Sequence, residues 1–155
     1  MNWPDSVIWW HVYPLGFVGA ERTTTSEVHH RLPQLANWLD YLIRLGANGL
    51  LLAPVFASAS HGYDTLDHHR IDSRLGTEAD FAALVEACHS RGIKVCLDGV
   101  FNHLSGDHEI VRRALAAGPD TPEGRWIRWV DGYPRYFEGH STLVELDLSQ
   151  SVVAD

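Results

Sequence analysis

Ile93-Lys94-Val95-Cys96-Leu97-Asp98-Gly99-Val100-Phe101-Asn102-His103 passes from a short apolar run straight into a carboxylate, an amide and an imidazole. The apolar part is too short for an ordinary helix, and its β-branched Ile93 and Val95 suit a strand. Two runs of the same kind, 7–13 and 50–54, start at intervals of about 43 residues upstream. Helical patterns fill the gaps. Leu32, Leu35, Ala36, Leu39, Leu42 and Ile43 recur at helical spacing as one continuous face, with Gln34, Asn37, Asp40 and Arg44 opposite. Gly46 stands where a left-handed cap belongs. Thr77 opens the next helix, its hydroxyl placed to cap the N–H of Asp80; Phe81, Leu84, Val85 and Cys88 form the apolar face, and Gly92 ends it. Strand, helix, strand, helix, strand with crossovers of this length predicts a parallel α/β sheet. Nearly uniform apolar strands predict that both faces are covered. Trp9 and Trp10 then belong to the core, and Cys88 and Cys96 are expected as buried free thiols.

Composition sets the class. Of 155 residues, 45% are hydrophobic and 21% charged, which fits a globular domain and not a disordered chain. Twelve basic against 20 acidic side chains give a formal charge of −8, with no Lys/Arg cluster to displace counterions, so nucleic acid is not an expected partner. No run approaches the ~18 apolar residues of a membrane span, and Met1-Asn2-Trp3-Pro4-Asp5 does not resemble a secretory signal. A cytoplasmic location is expected. Two cysteines make neither a disulfide framework nor a metal quartet.

Beyond Leu104 the periodicity changes. A short helix is expected over 109–117. The stretch 118–142 holds four Gly, three Pro and five aromatics without a clean period, and reads as an insertion after the third strand. Order returns at 143–148, and Ser149 could cap a helix beginning Val152-Val153-Ala154. The expected domains are therefore 1–103, 104–142 and 143–155. Because that last helix stops at Asp155 before two turns are complete, the chain is expected to be cut from a longer one.

In parallel α/β folds, sites gather on loops leaving the C-terminal ends of strands. Here the first such loop region brings His11, Tyr13 and Phe17. The second brings His61-Gly62-Tyr63-Asp64 with Asp67 and Asp72, and the third brings Asp98, Asn102 and His103. Carboxylates, imidazoles and flat aromatic rings on one rim suit sugar hydroxyls and pyranose C–H faces. Asp98 could equally cap a strand end or pair a buried Arg, and Tyr63 could be loop packing. Histidines 61, 68, 69, 103 and 108 match no common zinc spacing.

These residues resemble glycoside hydrolase family 13, the α-amylase family. Asp98-Gly99-Val100-Phe101-Asn102-His103 is similar to the signature closing the third barrel strand. His61-Gly62-Tyr63-Asp64, with Asp67, Ile71-Asp72 and Leu75-Gly76-Thr77, resembles the segment after the second strand. Trp10 to Phe17 looks like the first strand with its Tyr-Pro. Leu143-Val144-Glu145-Leu146-Asp147 is similar to the short signature closing the inserted domain, with Val144 where a Pro often stands. The resemblance implies a partial (β/α)8 barrel: the first three strands plus a short inserted domain. It implies that Tyr63 stacks under the sugar being cleaved, Asp64 accepts from its hydroxyl, and His103 donates to it. Asp98 would support the site by pairing an Arg of the next strand. Asn102 would match a calcium ligand of many α-amylases. The nucleophile Asp and the acid Glu would both fall beyond Asp155, leaving this chain without a catalytic pair and inactive alone.

The leading expectation is the N-terminal part of a retaining α-glucoside hydrolase or transglycosylase acting on an α-glucan or malto-oligosaccharide. A non-catalytic carbohydrate-binding remnant is the alternative. A metal-assisted hydrolase built on Asp98, Asn102 and His103 is a third.

Overall fold

The structure is a computed structural model, and it describes residues 3–150 and Val153. The chain divides into two compact units: Met1–Ala57 with His69–Gly99, and Ser58–His68 with Val100–Asp155. In chain order the elements are a 3-10 turn at Trp3–Ser6, β1 (Trp9–Val12), α1 (Pro14–Phe17), α2 (Leu32–Ala36), α3 (Leu39–Arg44), β2 (Gly49–Leu52), β3 (Phe56–Ser58), β4 (Thr65–Ile71), α4 (Glu78–His89), β5 (Lys94–Leu97), β6 (His103–Ser105), α5 (Glu109–Ala117), β7 (Trp129–Val130), β8 (Tyr133–Pro134) and β9 (Leu143–Glu145).

The first unit holds the parallel sheet expected from the apolar runs, in the order β1-β2-β5. Leu32, Leu35, Leu39 and Leu42 are fully buried against Val12, Leu50, Leu52 and Ile93. The single helix expected over this segment is instead two, α2 and α3. Trp38 N–H reaches back three residues to Leu35 O, tightening the turn between them. Trp38 then joins Trp10, Phe17 and Tyr41 in a closed ring of edge-to-face contacts with centroids 5.6 to 6.0 Å apart. Ile43, expected on the apolar face, is exposed. Gly46 has the left-handed backbone of a cap, with φ at 87°. The start of α4 is the expected one: Thr77 Oγ1 accepts from Asp80 N–H, and the Asp80 carboxylate accepts from Thr77 N–H.

Three expectations fail together. Trp10, Val12, Leu50, Leu52, Val95 and Leu97 face the helices, whereas Trp9, His11 and Cys96 point the other way and are exposed. Among the described residues of this unit the helices cover one side of the sheet, and Trp9 and Cys96 lie exposed on the other, so Trp9 is not core and Cys96 is not buried. The register places His11, Leu51 and Cys96 in one row across that open side. Trp9 lies opposite Gly49, and a Cβ there would meet its ring at 2.5 Å, so glycine is required for the ring to lie across the strand. Cys88 is buried as expected, and burial pushes its thiol up to about 11 against the pull of Arg91.

In the second unit β6 and β9 pair antiparallel, with His103 opposite Glu145 and Leu104 opposite Val144. Leu104, Val111, Ala114, Ile127 and Val144 form its small core. The helix over 109–117 has the expected bounds: the His108 side chain accepts from Ile110 N–H at its start, and Gly118 follows its end. The region without a period contains a β7–β8 hairpin, whose two-residue turn Asp131-Gly132 has φ of 52° and 79°. That is the turn chemistry of Asp-Gly. The compact units do not follow the boundaries 1–103, 104–142 and 143–155, because 58–68 and β9 group with the insertion. The expected helix at Val152-Val153-Ala154 lies outside the described residues apart from Val153. Ser149 itself is turned back, its N–H and hydroxyl donating to the same Asp147 oxygen at 3.1 and 2.6 Å. Among the described residues no helix is long and apolar enough to cross a membrane.

Candidate sugar-binding site

Tyr63, Asp64 and His103 all belong to the second unit. A tight loop builds the position of Asp64. Ala59 N–H donates to Asp64 O at 3.0 Å, closing the loop on its own end. The carboxylate is buried, with Ser60 Oγ donating to Oδ2 at 2.5 Å and His61 N–H donating to Oδ1 at 3.1 Å. Tyr63 N–H donates to His61 Nδ1 at 3.2 Å, so that nitrogen is a lone-pair acceptor, and its 3.8 Å approach to Asp64 is not a hydrogen bond. The Tyr63 ring is left partly exposed at 36%, tilted against the His61 ring.

His103 ties β6 to this loop. Its Nε2 lies 3.0 Å from Tyr63 O, and since a carbonyl only accepts, Nε2 carries the proton. Phe137 stacks on a face of the imidazole, centroids 4.4 Å apart at 22°. Burial is the largest influence holding the His103 pKa below its ordinary value, ahead of the opposing hydrogen bond to Tyr63. The ring is therefore neutral at pH 7, and Nδ1 is an acceptor. That atom is buried and without a hydrogen-bond partner. Such a group is costly to bury unmet, and it marks a place where a ligand hydroxyl would relieve the cost. Phe137 and Ser60, which fix His103 and Asp64, carry no local sequence signal, since each acts through a non-periodic segment.

The other expected site residues fall elsewhere. Asp98 belongs to the first unit, half-buried just past β5, with its N–H extending the ladder to Leu52 O at 2.8 Å. Asp72, placed on the sugar rim by the sequence, is buried and forks onto the fully buried Arg74 at 2.8 and 2.7 Å. Phe17 is committed to the aromatic ring of the first unit, not to a site. His68 lies on β4, and its Nε2 donates to Val100 O at 2.8 Å.

Asn102 is exposed and lines a cavity of about 480 Å³ with Arg128, Arg135, Glu145 and Asp147. Calcium takes six to eight oxygen ligands. Here both Glu145 oxygens face the Arg135 Nε at 3.1 and 3.0 Å. Asp147 is engaged by Ser149 and Gln150. Two guanidiniums beside the Asn102 amide do not fit a divalent cation. Among the described residues no three His, Cys, Asp or Glu are gathered to hold a metal.

Comparison with known proteins places this geometry. The family described as alpha amylase, catalytic domain, matches residues 11–141. Trehalose-6-phosphate hydrolase of Escherichia coli (strain K12) is 37% identical over 134 residues, covering 85% of this chain and 23% of its own. The intracellular maltogenic amylase of Bacillus subtilis is 33% identical over 121 residues, covering 66% and 20%. The cyclic alpha-maltosyl-(1→6)-maltose hydrolase from Arthrobacter globiformis, in complex with maltose, superposes with a TM-score of 0.79 at 26% identity. That alignment covers 99% of this chain and 40% of the hydrolase. The chain thus spans less than a quarter of the length of these two relatives. Its three parallel strands are part of a (β/α)8 architecture and do not close a barrel.

Proposed function

The chain belongs to the α-amylase family of glycoside hydrolases, and from that membership we propose that it supplies the sugar-positioning part of a retaining enzyme. Its substrate is a maltodextrin-like α-glucoside, cleaved by hydrolysis or passed to an acceptor, in the cytoplasm. The observation that carries this reading is the gathering of Tyr63, Asp64 and His103 around one loop and one buried, unmet nitrogen. Tyr63 offers its exposed ring to a pyranose face. Asp64, fixed by Ser60 and His61, accepts from a sugar hydroxyl. His103 accepts at Nδ1, the reverse of the donor role that the resemblance implies for it. Asp98 is a supporting residue.

Retaining cleavage needs an acid and a nucleophile about 5 Å apart. In this reading both come from residues beyond Asp155, so the chain alone binds sugar without turning it over. The test is calorimetric titration with maltose and maltotriose beside a chromogenic α-glucoside assay. Binding that Asp64→Asn abolishes, with no turnover, is expected. Turnover above roughly 1 s⁻¹, the low end for enzymes, lost in Asp64→Asn, would overturn the division of labour. A non-catalytic carbohydrate-binding role draws on the same three residues. Fusion to the remaining barrel strands of the Bacillus subtilis relative separates the two: restored turnover supports the enzyme, and binding without turnover supports the remnant.

A further inference from the structure

Arg128, Arg135 and Glu145 stand at one level of the second unit. Arg135 N–H donates to Arg128 O at 2.8 Å, Arg128 N–H to Glu145 O at 3.0 Å, and Glu145 N–H to Arg135 O at 3.0 Å. The side chains repeat the association. Arg135 Nε bridges both Glu145 oxygens, and Arg128 Nη1 lies 3.7 Å from Oε2. The Glu145 side chain is only 13% exposed, while the two guanidiniums are 54% and 53% exposed. A carboxylate this far from water needs a positive partner, and here it has two, both fixed by the backbone it shares with them. With Asp147 on the same cavity, the two positive charges balance two negative ones. A divalent cation would raise that balance by two and compete with two tethered guanidiniums.

We propose that Arg128 and Arg135 do beside Asn102 the charge-balancing and strand-joining work of a divalent cation, so that this unit holds its shape without calcium. A cation site lies latent beneath the arginines, made of Asn102, Glu145 and Asp147. The inference does not depend on the substrate proposed above, since it concerns the corner and not the sugar. The full chain is melted in EDTA and in about 1 mM calcium chloride, the weak end of protein calcium sites, and titrated with terbium as a luminescent calcium substitute. Equal midpoints and no terbium signal are expected. A calcium-dependent rise in midpoint, or saturable terbium binding by the unaltered chain, would overturn the proposal, and this arm needs no variant. Arg128→Gln/Arg135→Gln should then melt several degrees lower in EDTA and regain part of that loss with calcium. Adding Glu145→Gln should remove the calcium response. A double variant that melts like the unaltered chain in EDTA, or that ignores calcium, would also overturn it.

Discussion

Arg74 has no exposed surface and forks onto an Asp72 that is 2% exposed, in the first unit; Arg128 and Arg135 are more than half exposed where they meet Glu145 in the second. The charges are alike and the consequences differ. Around Arg74 the desolvation of both ions is complete, and the second fork is joined by Glu21 O, which accepts from Nη1 at 3.0 Å. Removing either partner strands a charge away from water, a loss far larger than the pair's net gain. Around Glu145 water screens the two outer guanidiniums, so losing both costs several degrees of melting temperature and not the far larger penalty of a stranded buried charge, and the arginines also decide what else can sit there. Burial, not charge count, separates an ion pair that holds the fold from one that defines a corner.

The strongest way to break that contrast is Asp72→Asn. It should cost about 3–5 kcal/mol, the usual penalty for breaking a buried pair, read as a fall in the urea midpoint. A loss under about 1 kcal/mol, the range of exposed pairs, would show that water reaches Arg74. A gentler probe is pH. Burial is the largest cause holding both His103 and His108 below their ordinary 6.5. The unfolded chain therefore takes up protons before the folded one does. Stability is present in full above about 6.5 and is lost as pH falls through the lower folded values. Melting curves across that range should show the decline, and His103→Gln should flatten it; an unchanged slope in that variant would remove His103 as its source. The smallest effect belongs to Glu21→Gln. Arg31 grips Glu21 at 2.6 and 2.7 Å, and that hydrogen bonding draws the carboxyl down to about 2. Yet the carboxylate stands in solvent, so the melting midpoint in physiological salt should match the unaltered chain. A clear drop would mean that geometry alone, without burial, can make a pair hold the fold.

What the sequence made legible was local. Thr77 and Asp80 cap α4 through residues three apart, and α5 begins and ends between His108 and Gly118, so both could be read directly. The parallel sheet followed from three apolar runs of similar spacing. β4 escaped because Thr65-Leu66-Asp67-His68-His69-Arg70-Ile71 lacks the apolar alternation that betrays a strand. The hairpin at Asp131-Gly132 was there to be found, masked by the Gly, Pro and aromatic residues around it. Which side of the sheet is covered could not be read, because runs such as Leu50-Leu51-Leu52 are apolar on both sides. In the site, His61-Gly62-Tyr63-Asp64 and His103 stood out by type. The Phe137 stack and the Arg74 fork did not, since one joins distant segments and the other needs burial to mean anything.

The open side of the sheet also gives the molecule a chemical reporter. Cys88 is sealed in the core with a thiol that scarcely ionises near neutrality, while Cys96 shares its exposed row with His11 and Leu51. An alkylating reagent should therefore mark one sulfur and spare the other, since attack requires both access and thiolate. Any segment that lays further strands over that row would silence Cys96 at the moment of docking. The rate of a single alkylation thus times the covering of that face, without any sugar, substrate or engineered label.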